Sequence, residues 1–194
     1  MADAPLEAVR LESARVVVRS TETADAARVA HYFARNRAHL EPWEPAHEDA
    51  FYTQAFWETT LRDQEEARRR GMMLRMLFFE KPDEDTPAGM ISLVNVMARA
   101  PVWQGRVGYS LDETKQGRGL MGEALELVVR HAFDVLNLKR VVAGHLPHNV
   151  RSSRVLTRAG FVREAYQREF FYVGGRWEDH VETYRLNPNW KAPR

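Results

Sequence analysis

The sequence Gln116-Gly117-Arg118-Gly119-Leu120-Met121-Gly122 decides the fold. It lies between a strand-like stretch, residues 106–111, and an amphipathic stretch, residues 123–136. Glycine lets the backbone approach a ligand closely, and the first N–H groups of a helix have no partners within that helix. Such a turn is suited to holding a pyrophosphate, with the Arg118 side chain as an added cation. An ordinary tight connection between strand and helix is the alternative interpretation.

Composition limits the classes to which this chain of 194 residues can belong. The absence of cysteine excludes disulfides, thiolate catalysis and cysteine-based metal sites, and fits a reducing compartment. With 28 basic and 27 acidic residues the net charge is +1, so no overall field attracts nucleic acid or membranes. No apolar run is long enough for a signal peptide or a bilayer span. We therefore expect one cytoplasmic domain covering residues 1–194.

The first half of the chain predicts a strand, two helices and a β-meander. The strand covers residues 15–19, and Thr23 is expected to cap a helix that runs to about Leu40. After a proline-bracketed break, a second helix is expected from about Asp49 to a stop at Gly71. Its predicted inner face is Tyr52, Ala55, Phe56 and Thr59. Three strands follow, at residues 74–80, 88–97 and 103–111.

The second half predicts a β-α-β unit, a short helix and a hairpin. A helix from about Gly119 to Leu136 follows the glycine-rich turn, and a buried strand is expected at residues 140–144. The predicted inner face of this helix is Met121, Leu125, Val128, Ala132 and Val135. A short helix is expected over residues 149–159, and two strands at 161–173 and 177–186. A mixed sheet with helices on both sides follows from this order.

Two blocks of the sequence, residues 116–122 and 148–161, resemble signature segments of the GCN5-related N-acetyltransferase (GNAT) family. In that family a Gln/Arg-x-x-Gly-x-Gly/Ala loop binds the pyrophosphate of acetyl-CoA. Gln116 and Gly119 match this pattern, while Met121 occupies the usual Gly/Ala position. The resemblance covers nearly the whole chain. It implies acetyl-CoA as cosubstrate and the GNAT fold, of α/β (α+β) class, with a mixed central sheet of about seven strands and helices on both faces.

The same resemblance implies which residues bind the cofactor. In relatives the asparagine of the second block hydrogen-bonds the pantetheine arm, a role that carries over to Asn149, although a simple helix N-cap is an equal alternative. The splayed strand would polarise the thioester carbonyl through a backbone N–H. The expected set is Val107, Gly108, Tyr109, Gln116, Gly117, Arg118, Gly119, Leu120, Met121, Gly122, Asn149 and Ser152.

Three shorter segments, residues 41–45, 119–121 and 175–180, look like those of the RimJ-type ribosomal-protein alanine N-acetyltransferases. Members of that group acetylate the α-amino group of a protein N-terminus. The implied acceptor is the N-terminus of a ribosomal protein, with possible association with the ribosome. The residues expected to bind the acceptor are Trp43, Glu44, Asp179 and His180.

Acetyl transfer to an amine requires a group that takes a proton from nitrogen and one that protonates the leaving thiolate. Glu44, Glu169 and Asp179 are the candidate bases, and Glu169 is the first choice, with a solvated strand residue as the alternative. The tyrosine that many relatives use as acid is replaced near that position by Thr157. Ser152 is the expected substitute, with helix packing as its alternative.

Other functions remain open at this level. A small-molecule amine acetyltransferase, acting on a polyamine, an aminoglycoside or an amino acid, is the second enzymatic hypothesis. A non-catalytic module that binds acetyl-CoA during ribosome assembly is the third. The histidine spacing does not predict a metal site. We expect a monomer or weak dimer.

Overall fold

A computed structural model describes residues 5–192, and within this range one mixed sheet of eight strands forms the centre. The strands are β1 (Arg10–Glu12), β2 (Val16–Ser20), β3 (Met73–Glu80), β4 (Gly89–Arg99), β5 (Val102–Leu111), β6 (Arg140–His145), β7 (Val162–Val173) and β8 (Arg176–Leu186). Their spatial order is β1-β2-β3-β4-β5-β6-β8-β7. Seven strands are confirmed. The eighth, β1, has only three residues and carries a charge at each end, so its sequence has no strand-like apolar pattern.

The helices are α1 (Ala26–Arg35), α2 (Arg37–Leu40), α3 (Gln54–Arg69), α4 (Leu120–Asp134) and α5 (Val150–Arg158). They cover both faces of the sheet, as expected. Residues 74, 76 and 78 of β3 pack in one core with α4 and α5, whereas residues 77 and 79 pack in a second core with α1 and α3. This alternation follows from the period of two in a strand. We call these surfaces the α4–α5 face and the α1–α3 face.

The first predicted helix is interrupted at Asn36. The buried Asn36 side chain donates to the Tyr32 carbonyl and to Asp112 Oδ2, and it accepts from the Glu113 N–H. This network joins the break between α1 and α2 to the end of β5. Thr23 is not the N-cap that the sequence predicts, because its N–H and hydroxyl both donate to Glu65 on α3.

The predicted inner face of the second helix is wrong by about one residue. Trp57 and Leu61 are buried, while Phe56 is exposed. The ring of Trp57 stacks on Phe33 of α1 at 5.1 Å, and this contact sets the rotation of α3. Gly71 follows α3 with φ of 76°, which confirms the predicted stop.

The predicted inner face of α4 is confirmed at four positions, which are Met121, Leu125, Val128 and Ala132. Val135 is exposed, since α4 ends at Asp134 and the helical period no longer applies there. The β-meander β3-β4-β5, the β5-α4-β6 unit and the β7-β8 hairpin across Gly174 and Gly175 are also confirmed. Within residues 5–192, no helix has the length and apolar character needed to cross a membrane.

Candidate active site

The sheet opens between β5 and β6. These parallel strands pair only where residues 104–106 meet residues 140–142, whereas β5 remains paired with β4 as far as Leu111. Residues 107–111 therefore present an open backbone edge toward the gap. This is the splayed strand that the sequence predicts, and Val107, Gly108 and Tyr109 lie along it. The buried Val107 side chain packs in the core, so its backbone is the part available to a ligand.

The glycine-rich turn lies beside this gap at the start of α4. Gly117 and Gly119 have φ of 74° and 77°, values that favour glycine over other residues, and Gly119 is the N-cap of α4. A Cβ at Gly117 or Gly122 would meet no atom within 4 Å, so the space above the turn is open. The side chains of Leu120 and Met121 point into the core, which leaves their backbone N–H groups to face a ligand.

Ion pairs hold this turn in place from the neighbouring strands. Glu80 at the end of β3 binds Lys115 at 2.9 Å and also pairs with Arg118. Arg15 donates to the Arg118 carbonyl at 3.0 Å and to Glu123 at 2.9 Å. The Arg118 side chain, expected to add a cation to the phosphate cradle, thus pairs with Glu80 instead.

The side chain of Gln116 connects the turn to α2. Its Nε2 lies 2.7 Å from His39 Nε2, so the Gln116 amide donates and this nitrogen of His39 accepts. The sequence places Gln116 among the cofactor-binding residues. In the structure its side chain holds the turn against the helical layer, and its backbone remains part of the turn.

The spacing of the three glycines, 117, 119 and 122, also fits the G-x-G-x-x-G pattern of dinucleotide-binding loops. The surrounding sheet differs from the one that such loops require. Among the strand pairs described, only β5 with β6 is parallel, and this pair separates after three residues. A doubly wound parallel sheet keeps its strands paired beside the loop.

Asn149 and Ser152 meet at the start of α5. Asn149 Oδ1 accepts from the Ser152 N–H at 3.0 Å, so the predicted N-cap is present. This cap uses only the oxygen of the Asn149 side chain. The amide nitrogen still has donors that could serve a ligand in the gap.

Tyr109 of β5 crosses the gap on the α4–α5 face to reach Ser152. Its hydroxyl oxygen lies 2.9 Å from Ser152 Oγ, and either group can donate. Burial raises the pKa of Tyr109 to about 12, so this hydroxyl keeps its proton at neutral pH. Sequence reasoning placed both residues at the cofactor but did not predict that they bond to each other.

Trp43 and Glu44 lie in the loop after α2. The Trp43 ring lies 5.6 Å from that of His148, which directly precedes the Asn149 cap. Burial raises the pKa of Glu44 to about 7, although attraction to Arg75 acts in the opposite direction. His47 Nε2 lies 3.5 Å from a carboxylate oxygen of Glu44, and burial lowers the pKa of His47. Burial therefore makes the Glu44 carboxyl a weaker acid than an ordinary glutamate.

Arg106 and His180 line the β6-β8 side of the α1–α3 face. Arg106 Nη2 donates to both carboxylate oxygens of Glu182 at 2.6 Å, across β6. The buried His180 ring lies directly against Gly144, where a Cβ would come within 2.1 Å of its Nε2. Burial lowers the pKa of His180, and the nearby charge of Arg106 adds to this effect. His180 is thus a neutral imidazole close to the gap.

Glu169 and Asp179 lie apart from this group. Asp179 precedes His180 on β8, so its side chain emerges on the opposite face of the sheet. It accepts from Tyr166 at 2.8 Å and from the Glu169 N–H at 2.9 Å. Glu169 is exposed in an irregular part of the edge strand β7, with φ of 47°. Asp179 and His180, both expected to bind the acceptor, therefore point to opposite faces of the sheet.

No group of three or more potential metal ligands occurs among residues 5–192. The side chains near the site that the sequence does not single out are Arg15, Glu80, Arg75 and the Arg106–Glu182 pair. Arg15, Glu80 and Arg106 bind partners distant in sequence, and no local pattern marks them.

A sheet that opens beside a glycine-rich turn in this way is the architecture of an N-acetyltransferase. The sequence profile of the acetyltransferase (GNAT) domain matches residues 15–162, and the chain belongs to this family. The resemblance seen in the sequence is thereby confirmed. Enzymes of this family use acetyl-CoA as the acetyl donor.

Similar proteins of known name agree with this assignment. The [ribosomal protein uS5]-alanine N-acetyltransferase of Escherichia coli is 36% identical over 186 residues, which are 96% of this chain and 95% of that protein. The crystal structure of the ribosomal-protein-S5-alanine acetyltransferase of Vibrio fischeri superposes with a TM-score of 0.89 at 36% identity, covering 95% of this chain and all of that one.

Mycobacterium smegmatis RimJ, solved in complex with CoA-disulfide, shares the fold. Its TM-score is 0.83 at 24% identity, covering 92% of this chain and 86% of that one. That protein was therefore solved with coenzyme A.

Proposed function

We propose that this enzyme transfers the acetyl group of acetyl-CoA to the α-amino group of a protein N-terminus, and that the natural acceptor is an N-terminal alanine of ribosomal protein uS5. The observation that carries the proposal is the 36% identity to the E. coli uS5-alanine N-acetyltransferase along nearly the full length of both chains. The activity would take place in the cytoplasm, where ribosomal proteins are made.

Acetyl-CoA fits the open side of the sheet. Its pyrophosphate would lie on the N–H groups of Gly117 to Gly122, where the positive φ angles and the absence of Cβ atoms leave room. The pantetheine arm would follow the open edge of β5, with Asn149 Nδ2 as a donor from the other side. When bound, the cofactor supplies a thioester carbonyl that an amine can attack.

Glu44 is the general base that we propose in preference to Glu169. A carboxyl group whose pKa is raised to about 7 accepts protons more effectively than an ordinary solvated glutamate. Glu44 also follows Trp43, whose ring lies 5.6 Å from that of His148, just before the Asn149 cap. Glu169, by contrast, is exposed on the edge strand, with Asp179 bound to its backbone.

The leaving thiolate needs a proton, and Ser152 is the proposed donor. In this step the amine nitrogen bonds to the carbonyl carbon, the carbon–sulfur bond breaks, and Glu44 takes the proton from nitrogen. Ser152 gives its proton to sulfur while the Tyr109 hydroxyl, 2.9 Å away, passes its own proton to Ser152. Solvent then returns a proton to Tyr109, and Glu44 releases to solvent the proton taken from nitrogen, so both side chains regain their starting states. Backbone N–H groups on the open edge of β5 would stabilise the oxyanion.

An α-amine suits a base of this strength. Its reference pKa of about 7.7 to 8.0 leaves roughly a tenth of N-termini neutral at pH 7, against about one in two thousand lysine side chains. Because some of the acceptor amine is already neutral, the base does not have to deprotonate the ammonium form first. It has to remove only the second proton, which the nitrogen loses as the amide forms. An acceptor with lysine-like amines would demand a stronger base.

The decisive experiment uses peptides that begin with the uS5 N-terminal sequence. Each peptide is incubated with isotopically labelled acetyl-CoA, and mass spectrometry locates the label. We expect acetylation at the α-amine of the alanine-initiated peptide. Label on polyamines, aminoglycosides or amino acids with none on the peptide would replace this function by the small-molecule one, and cofactor binding without any transfer would indicate a non-catalytic module.

A further inference from the structure

Arg75 is a cation without a hydrogen-bond partner for its Nε atom, on the face of the sheet where the acceptor enters. Within residues 5–192, Arg75 Nε is among the few buried side-chain atoms that have no hydrogen-bond partner. Burying part of a guanidinium without a partner costs free energy. Polar groups left in this way in a native structure often await a ligand or water.

The strand register places Arg75 in one row with the open edge of β5. Arg75 pairs with Ser92 of β4, and Ser92 pairs with Gly108 of β5, so the three lie in one row on the α1–α3 face. A Cβ at Gly108 would meet only Ser92 Oγ, at 3.7 Å, and Gly108 itself is exposed. On this face, the small residues Ser92 and Gly108 therefore lie between the Arg75 side chain and the open edge of β5.

Glu44, in the loop after α2, is the carboxyl group that interacts electrostatically with Arg75. The two charges attract each other electrostatically, yet no direct ion pair within 4.0 Å joins them in the described part of the chain. A ligand placed between the two would meet a carboxylate on one side and a hydrogen-bond donor on the other. A ligand that bridges them needs a donor or cation and a carbonyl oxygen close together.

We infer that Arg75 binds the first peptide carbonyl of the acceptor while Glu44 receives its α-amine, so that this pair of side chains selects a chain N-terminus. The inference rests on the proposed function and names the chemistry that the site recognises. In an N-terminal residue the α-nitrogen and the carbonyl oxygen are held close by the covalent backbone. A polyamine offers only cationic groups, which Arg75 repels.

The Arg75 backbone is held independently of this role. Its carbonyl accepts from the Thr21 N–H at 2.9 Å and from the Thr21 hydroxyl at 3.2 Å. Replacement of the side chain therefore leaves the strand anchored. Because the substitution removes a partly buried charge, the Arg75→Met variant should unfold at the same temperature as the wild type or at a higher one.

Two matched peptides test the inference. Both begin with alanine, and in the second an (E)-alkene replaces the first peptide bond, which removes the carbonyl but keeps the chain geometry. For the wild type, kcat/KM should fall by about 10-fold to 100-fold on the alkene peptide, since a hydrogen bond from a charged group is lost. For Arg75→Met, the normal peptide should already show this loss, and the alkene peptide should add little to it.

Arg62→Met is the control, because Arg62 is exposed on α3. This variant should keep the wild-type ratio of kcat/KM between the normal peptide and the alkene peptide. Arg75→Lys retains a cation, so it should keep part of the difference in kcat/KM between the normal and the alkene peptide. This variant replaces Arg75→Met in the test if Arg75→Met does not fold. An unchanged ratio in both folded Arg75 variants would overturn the inference while leaving the proposed function intact. Absence of transfer to either peptide by the wild type would instead count against the proposed function.

Discussion

The hydroxyl of Tyr109 on β5 and the hydroxyl of Ser152 on α5 lie 2.9 Å apart across the gap in the sheet. This bond joins β5 to α5, and either group can donate. Thr157 stands near the position where many relatives carry a tyrosine on this helix. In the proposed function the phenol of Tyr109, on the strand, takes the place of that tyrosine by supporting Ser152.

Ser152→Ala should lower kcat by about 100-fold, because general acid catalysis contributes at least that much in many enzymes. Tyr109→Phe should lower it by about 10-fold, since Ser152 remains but loses a hydrogen bond. Steady-state kinetics with an alanine-initiated peptide measure both effects, and calorimetry with coenzyme A should show nearly unchanged affinity. Equal rates in the wild type and Ser152→Ala would exclude Ser152 as the acid.

The pH dependence of kcat/KM should report Glu44. Below about pH 7 both the Glu44 carboxyl and the acceptor α-amine are protonated, so log kcat/KM should rise with a slope of about two. Between about 7 and 8 only the amine still titrates, and the slope should fall to one. In Glu44→Gln, kcat/KM should be about 100-fold lower at pH 8. Its pH profile should show only the slope of one that comes from titration of the α-amine.

Glu169→Gln is the matched comparison in that experiment, because Glu169 is the base that the sequence favours. We expect it to keep the wild-type profile, since Glu169 is exposed on the edge strand. If the part of the slope that comes from the base disappears in Glu169→Gln and remains in Glu44→Gln, then Glu169 and not Glu44 is the base.

Much of this fold is predictable because its signals are local. The alternation in β3 to β5, the apolar period of α4 and the glycines at 71, 174 and 175 each determine an element within a few neighbouring residues. The interruption at Asn36 has no such signal. It depends on Asp112 and Glu113, far along the chain, and the sequence predicts one continuous helix in its place.

The site was predictable only where motif and structure coincide. The glycine-rich turn and the Asn149 cap follow from their own residues. The groups that act on Ser152 and Glu44 do not, since Tyr109 is 43 positions from Ser152 and Arg75 lies on a strand far along the chain from the loop of Glu44. Glycine spacing by itself also fails to separate this turn from a dinucleotide loop. The opening of β5 from β6 makes that distinction.

Asn149 has two possible roles, which two substitutions can separate. Asn149→Ala should remove the cap, destabilise the fold by about 1 kcal/mol, and weaken acetyl-CoA binding. Asn149→Ser keeps a capping oxygen but loses the amide donors, so it should retain stability and still bind acetyl-CoA less tightly. Thermal unfolding and calorimetry give the two quantities. Wild-type affinity in Asn149→Ser would mean that Asn149 serves only as the cap.

Glu44 should also lower the stability of the folded protein as the pH rises. Its pKa is raised from 4.5 to about 7 in the folded state, so the folded form holds a proton that the unfolded form has lost between these values. The free energy of unfolding therefore decreases from about pH 4.5 to about pH 7 and stays lower above that range. Glu44→Gln carries no such charge.

The difference in unfolding free energy between Glu44→Gln and the wild type should thus be near zero at pH 4.5 and reach about 1 to 3 kcal/mol in favour of the variant at pH 8. The lower part of this range allows for the 26% of the Glu44 side chain that remains exposed. Urea unfolding at both pH values measures the difference. An equal difference at both pH values in Glu44→Gln would mean that burial does not raise the pKa of this carboxyl in the folded enzyme.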